Sequence, residues 1–165
     1  MKKEVEALRG LVGKTQERVS EKSGDKILEE MAERGSRERN VVCHKCPESE
    51  FSVPEDAKSS DMEGTQGLFY HLGLPFRAYQ VLIGLRRLGK LAGSAGQPRP
   101  LLLIFRNKGD RDMLLQRAPR LSKDRDEYWT RINVVPDLTM RQRKLEQDMF
   151  KRAEGKNLSR STEEV

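Results

Sequence analysis

The sequence is poor in the residue types that large cores, secreted scaffolds and membrane spans require. Of its 165 residues, 35% are hydrophobic and 5% aromatic, against about 45–50% apolar residues in ordinary globular domains. Two cysteines are too few for a disulfide framework, and no apolar run reaches the roughly 18 residues that a membrane span needs. Acids stand near the N-terminus, where a signal peptide needs an apolar stretch. We therefore expect a non-secreted protein, cytoplasmic or nuclear, without a membrane partner.

The motifs of common catalytic sites are also missing. The chain has no glycine-rich phosphate loop, no G-x-S-x-G and no H-E-x-x-H, motifs that would indicate nucleotide, nucleophilic or zinc-dependent chemistry. Its acidic residues are scattered, and no two of them stand out as a catalytic pair. The sequence therefore predicts a non-enzymatic protein without a cofactor.

Positive charge is present in excess in the middle of the chain. Residues 77–125 carry 12 Lys and Arg against 3 Asp and Glu, whereas residues 1–76 carry 12 against 15 and residues 126–165 carry 8 of each. A basic block of this kind is typical of a surface that binds a polyanion such as nucleic acid. The alternative is a solvated face that only keeps the protein soluble.

The first 37 residues follow the period of a helix. Val5, Leu8, Val12, Thr15 and Val19 alternate spacings of three and four residues, which places them on one a/d stripe. A break is expected at residues 23–25, and a second short apolar stripe follows it. We predict a helical lead at 1–37 that self-associates as a coiled coil.

The rest of the chain alternates between strand and helix patterns. Short apolar or β-branched runs at 40–44, 79–85, 100–105 and 131–135 predict four strands. Helices are predicted from Ser59 or Ser60 to Gly73, from Asp110 to Pro119, and from 137 to 154 with Gly155 as the stop. The predicted fold is α+β: a ferredoxin-like or RRM-like β-α-β-β-α-β domain at 38–136, a charged helix at 137–155 and a disordered tail at 156–165.

Five short segments occur in an order that resembles a known family. They are residues 38–42 leading to Pro47, residues 68–69 leading to Gly73, and residues 87–90, 99–102 and 136–139, the last before a charged helix. This succession resembles the first-open-reading-frame protein of LINE-type retrotransposons and its host-genome relatives, which carry an RRM-like domain behind a coiled coil. The resemblance implies binding of single-stranded RNA or DNA, a trimeric coiled coil and a chaperone-like action.

The resemblance also implies which residues contact the nucleic-acid backbone. By position they are Asn40, Arg86, Arg87, Lys90, Arg99 and Arg106. Arginine suits this task because its planar guanidinium can grip a phosphate with two hydrogen bonds. The alternative function is a coiled-coil protein-interaction or oligomerisation module that binds no nucleic acid.

Stacking on bases has little support in the sequence. An RRM presents aromatic side chains from its central strands, whereas the most apolar predicted strand offers Leu101, Leu103 and a single aromatic, Phe105. Tyr128 and Trp129 precede the last predicted strand and are expected to cover the edge of the core. We therefore expect electrostatic binding of modest specificity.

A C-x-x-C motif allows other interpretations of the first strand. Cys43 and Cys46, with His44 and His71, nominally supply four zinc ligands. A structural zinc site normally needs a second closely spaced ligand pair, which the chain lacks, so Cys43 is better interpreted as a small buried hydrophobe. A redox role is less favoured still, because a redox C-x-x-C opens a helix and this motif runs into Pro47.

Overall fold

The computed structural model describes residues 2–50, 53–90 and 96–163. The strands are β1 (Asn40–His44), β2 (Leu82–Arg87), β3 (Leu101–Phe105) and β4 (Asn133–Pro136). The helices are α1 (Lys2–Arg37), α2 (Pro54–His71), α3 (Ala78–Val81), α4 (Lys108–Arg117), α5 (Glu127–Thr130) and α6 (Met140–Glu163), and a 3₁₀ helix at Ala118–Lys123 follows α4. The predicted α+β class is confirmed. None of the helices in these ranges combines the length and apolar character of a bilayer-spanning segment.

The chain forms two compact units. Arg37–Asp137 is the sheet unit, and Met1–Ser36 together with Leu138–Val165 is the helical unit. In the helical unit, the Thr139 hydroxyl donates a hydrogen bond to Glu30 Oε1 at 2.7 Å, which connects α1 with the start of α6. Thr139 and Gln142 also exchange backbone-to-side-chain hydrogen bonds at 3.2 and 3.0 Å. This capping box fixes the start of α6 where the sequence predicts a helix to open.

The four strands form one antiparallel sheet in the order β2-β3-β1-β4. Val42 on β1 lies opposite Leu102 on β3 and Val135 on β4, and Arg86 on β2 also lies opposite Leu102. Side chains alternate along a strand and align across neighbouring strands, so these residues share one face. We call this face the second face, because the opposite face packs against the core. It carries Asn40, Val42, Gly84, Arg86, Leu102, Ile104 and Val135.

The other face of the sheet, the core face, packs against the helices. Its buried cluster comprises Val41, Cys43, Leu85, Leu101, Leu103, Phe105 and Val134 from the strands and Leu68, Phe69, Leu72, Leu114 and Leu121 from the helices. Phe69 stacks on Phe105 with ring centroids 6.0 Å apart and meets Phe76 edge-on at 5.6 Å. Fully burying a side chain of this size stabilises the fold by about 1.5–3 kcal/mol. Polar side chains that could contact another molecule therefore lie on the second face or at the strand ends.

The predicted starts of β2 and α2 in the sheet unit are wrong. The sequence predicts a strand from residue 79, but Ala78–Val81 is a helical turn and β2 begins at Leu82. Gln66 Oε1 accepts a hydrogen bond from the backbone N–H of Ala78 at 2.7 Å, a tertiary contact that no local pattern predicts. α2 begins at Pro54 instead of at Ser59 or Ser60, because proline is preorganised for the first turn of a helix.

Helices α1 and α6 are longer than predicted. α1 continues through Gly24, where a break was expected, to Arg37, and α6 continues through Gly155 to Glu163. A glycine inside a helix costs only about 1 kcal/mol, and extension of an existing helix adds one hydrogen bond per residue. The helix stop predicted at Gly155 is therefore wrong, and the tail predicted from residue 156 is helical up to Glu163. Residues 164 and 165 lie outside the described residues.

Candidate nucleic-acid interface

Arg87, one of the predicted contact residues, is buried inside the sheet unit. Its side chain is 6% exposed, and its Nη2 lies 2.6 Å from Asp61 Oδ1 of α2. The same guanidinium donates to three backbone carbonyls, those of Cys46 at 2.9 Å, Pro47 at 2.7 Å and Arg99 at 2.8 Å. Arg87 therefore ties α2, the loop after β1 and the segment before β3 together. With its donors committed in this way, it is not available to a phosphate.

Arg99 is also engaged within the protein. Its Nε donates to Glu48 Oε1 at 2.8 Å, its backbone N–H donates to Glu48 Oε2 at 3.1 Å, and its Nη1 donates to the Gly89 carbonyl at 3.2 Å. The hydrogen bonds from Arg99 lower the pKa of Glu48 below its ordinary value. Hydrogen bonding to Glu48 raises the pKa of Arg99 in turn. Arg99 thus neutralises a carboxylate and extends the polar cluster around Arg87.

Asn40 has a structural role at the end of β1. It is 8% exposed, and its Nδ2 donates to Asp137 Oδ2 at 3.0 Å, while its carbonyl accepts from the Asp137 N–H at 3.3 Å. Arg37 Nη1 donates to the other carboxylate oxygen of Asp137 at 3.1 Å. The predicted contact by Asn40 therefore falls on a side chain that joins β1 to the end of β4.

The other three predicted residues are exposed and unpaired. Arg86, Lys90 and Arg106 lie on the surface, and within the described ranges their side chains form no hydrogen bond or ion pair. Arg86 lies on the second face opposite Leu102, and Arg106 directly follows β3, where its backbone N–H donates to the Val81 carbonyl at 2.7 Å. These three cations retain the capacity to bind an anion.

A fourth cation, which the sequence analysis missed, lies beside Arg106. Arg39 is exposed, and its Nη1 donates to the Arg106 carbonyl at 3.2 Å. The two residues meet because the backbone N–H of Phe105 bonds the Arg39 carbonyl, which brings the start of β1 to the end of β3. The sequence shows that Arg39 directly precedes the first predicted strand, but only the pairing of β1 with β3 shows that Arg39 lies beside Arg106. We call Arg39, Arg86, Lys90 and Arg106 the exposed cation set.

The second face of the sheet has no aromatic platform among its described strand residues. Its central positions are aliphatic, with Val42 8% and Leu102 4% exposed, and Phe105 points into the core. Polar groups on this face therefore lie at its margins. Any contact with nucleic acid through this region would depend on charge and not on base stacking.

The aromatic pair of α5 lies elsewhere in the sheet unit. Trp129 packs against the buried cluster, stacks on the His71 ring at 4.1 Å and meets Tyr128 edge-on at 4.7 Å. His71 Nε2 lies 2.5 Å from Asp124 Oδ2. The position of Trp129 at the edge of the core agrees with the sequence analysis. His71, one of the four nominal zinc ligands, is engaged by Trp129 and Asp124. No group of three or more candidate metal ligands occurs within the part of the chain that the structure describes.

No protein-family model matches the sequence, and no curated protein matches it significantly.

Proposed function

We propose that this protein binds single-stranded nucleic acid, RNA above all, without catalysing a reaction, through the exposed cation set of its sheet unit. We further interpret the sheet unit as a ferredoxin-like, RRM-like domain of retrotransposon type. The strand order β2-β3-β1-β4 supports this interpretation. Helix α2 lies between β1 and β2 in the chain and α4 lies between β3 and β4, as in a split β-α-β arrangement.

The observation that carries the proposal is the exposure of unpaired cations along β2 and β3. Arg86 lies opposite Leu102, and Arg106 is four residues further along the same chain as Leu102, a distance of about 13 Å at the rise of a β-strand. By strand alternation Arg106 continues the face of Leu102. Arg86 therefore lies towards one end of this face, and Arg106, with Arg39 beside it, lies at the other end.

The expected mode of binding is electrostatic and weak. Each cation that reaches a phosphate releases condensed counterions, and the logarithm of the binding constant changes with the logarithm of salt concentration by about −0.7 per contact on single strands. Three contacts predict a slope of about −2. Binding of this kind has dissociation constants on the order of 10⁻⁵ M and little sequence preference. The retrotransposon resemblance adds a chaperone-like action, for which weak and rapidly reversible contacts are suitable.

A salt titration with a matched control tests the proposal. Fluorescence anisotropy of a labelled single-stranded RNA is measured at several salt concentrations for the wild type and for the triple variant Arg86→Glu, Lys90→Glu and Arg106→Glu. The control is Arg120→Glu, Lys123→Glu and Arg125→Glu, which changes three exposed cations near the 3₁₀ helix and gives the same net charge.

We expect the first triple variant to lose binding and the control to retain most of it. Equal losses in both variants would show that binding responds only to net charge, and the assigned site would be wrong. Absence of binding by the wild type would favour the interaction-module alternative.

Self-association through α1 is a second proposal, favoured by the exposed a/d stripe of that helix. Val5, Leu8 and Val12 are 50%, 62% and 57% exposed on one uninterrupted helix. A stripe of this spacing buries its apolar side chains when helices of several chains wind together. Sedimentation equilibrium should give the mass of an oligomer for the wild type and the mass of a single chain for Leu8→Glu. Leu28→Glu is the control, because Leu28 is also exposed but lies about 200° around the helix from Leu8. An unchanged mass in Leu8→Glu would contradict the proposal.

A further inference from the structure

The two cysteines of the C-x-x-C line one pocket in the sheet unit. Cys43 lies in β1 with no exposed surface, and Cys46 lies half-buried in the loop that follows. Between them Lys45 has a φ of 61°, a left-handed conformation that turns the chain after the strand. The turn brings both cysteines to the wall of a small pocket of about 30 Å³ that Asp61, Arg87 and Tyr128 also line.

The two thiols differ in pKa. The Cys43 thiol donates a hydrogen bond to the Cys46 sulfur, which lowers the pKa of Cys46, and the Arg87 charge lowers it further. The same hydrogen bond, together with burial, holds the pKa of Cys43 well above its ordinary range. Arg87 is fixed beside Cys46 because its Nη1 bonds the Cys46 carbonyl at 2.9 Å. Cys46 is therefore the better nucleophile and Cys43 a protonated neighbour within reach of it.

Residues 45–50, which follow β1, form no helix, so the motif is not of the helix-opening redox type considered in the sequence analysis. We propose instead, from the exposure of the two thiols and the position of Arg87, that Cys43 and Cys46 form a redox-active dithiol site that reacts with low-molecular-weight disulfides of the glutathione type. This site is separate from the exposed cation set and does not depend on the proposed function. Cys46 is the attacking cysteine and Cys43 the resolving one. Cys46 is only half-buried and Cys43 has no exposed surface, so an external disulfide would approach Cys46 from solvent.

The reaction has two displacement steps. The Cys46 thiolate, its proton lost to solvent, attacks one sulfur of the oxidised disulfide, forms a mixed disulfide and expels a thiolate that takes up a proton. Cys43 then attacks the Cys46 sulfur and expels the second thiolate, which receives the Cys43 proton. Two protein thiols and one external disulfide thereby give one internal disulfide and two external thiols, the ordinary balance of thiol–disulfide exchange.

The order of reaction can be measured by mass spectrometry. Fully reduced protein is mixed with oxidised glutathione, remaining thiols are alkylated at intervals, and adducts are mapped to peptides. We expect the wild type to lose two hydrogens and to accumulate no stable glutathione adduct. Cys43→Ala should accumulate one glutathione on Cys46. Cys46→Ser should react with glutathione disulfide about tenfold more slowly than the wild type, because the remaining Cys43 is buried and less readily ionised.

Two measurements keep the test decisive if a variant folds poorly. Circular dichroism reports whether Cys43→Ala retains the fold of the wild type. In the wild type itself, brief treatment with limiting iodoacetamide should label Cys46 well before Cys43, and this preference should disappear in concentrated urea. Equal labelling of both cysteines in the folded wild type, or a wild type that stops at the mixed disulfide, would overturn the proposal.

Discussion

Arg86 and Arg87 are neighbours in the chain but occupy opposite environments. Arg86 lies on the second face, exposed and without a polar partner among the described residues. Arg87 points to the core face, where Asp61 and three backbone carbonyls use its donors. Consecutive side chains of a strand project to opposite faces. In β2 this alternation gives one structural cation, Arg87, and one exposed cation, Arg86.

Ion pairing also differs among the cations at the two ends of the β2–β3 hairpin. At the end where the hairpin is joined by its loop, Arg87 and Arg99 are paired with Asp61 and Glu48. At the other end, Arg106 follows β3 on the surface beside Arg39. Acidic residues from α2 and the β1–α2 loop thus neutralise Arg87 and Arg99 at the loop end, where Arg86 and Lys90 keep their charge. Among the described residues, no acidic side chain pairs with Arg106 at the other end. The net basicity of residues 77–125 overstates the charge that a partner can reach.

The largest expected effect is on stability, from Arg87→Met. Its removal leaves the Asp61 carboxylate, whose side chain is 9% exposed, buried without a countercharge, and breaking a buried pair in this way costs about 3–5 kcal/mol. Urea unfolding followed by circular dichroism measures the loss. Arg86→Met is the matched control and should change stability by less than about 0.5 kcal/mol.

The double variant Arg87→Met with Asp61→Leu separates charge from packing. It removes both ions, so it should recover a large part of the stability that Arg87→Met loses. A stability of Arg87→Met equal to that of Arg86→Met would show that the two arginines do not differ as described.

A smaller loss is expected from Arg99→Met. Its ion pair with Glu48 is more accessible, with side chains 22% and 21% exposed, so solvent screens part of the interaction. We expect a loss of about 1–2 kcal/mol in the same unfolding experiment. A loss as large as that of Arg87→Met would place the structural centre of the cluster at Arg99 instead.

The pair between Glu48 and Arg99 should also make stability depend on pH. Because Arg99 lowers the pKa of Glu48 in the folded state, folding is favoured by the ionised carboxylate. This contribution is complete above the unfolded pKa of a glutamate, about 4.3, and is lost as pH falls through the lower folded pKa.

Comparison with Glu48→Gln isolates that contribution. The difference in unfolding free energy between wild type and Glu48→Gln should be constant near neutral pH and shrink as the solution is acidified below about pH 4. A difference that grows on acidification would mean that the carboxylate is not stabilised in its ionised form.

Local patterns predicted most elements but not the partners of charged side chains. β1 occupies the predicted residues 40–44, and Gly73, at a φ of 66°, follows the end of α2 as expected. Both features depend on neighbours within a few residues. The partner of Arg87 is 26 residues away and that of Arg99 is 51 residues away. No local pattern encodes such pairs, so paired and unpaired cations looked alike in the sequence.

Strand alternation could have separated Arg86 from Arg87 if the strand had been predicted correctly. The predicted strand at 79–85 ended before both arginines, whereas β2 includes them as its last two residues. With β2 at Leu82–Arg87, the core residue Leu85 places Arg87 on the same face as the core and Arg86 on the other. The error in one boundary thus concealed the difference between the two side chains.

The smallest effect expected is also the most selective for the proposed interface. Arg86→Gln removes one charge from the exposed cation set and leaves the core and the Arg87 cluster unchanged. Folding stability should therefore stay within about 0.5 kcal/mol of the wild type, while the salt slope of single-stranded RNA binding should become shallower by about 0.7. An Arg39→Gln variant should reduce the slope by a similar amount if Arg39 belongs to the same interface. A slope that is unchanged in both variants would remove Arg86 and Arg39 from the interface, even if the protein binds nucleic acid elsewhere.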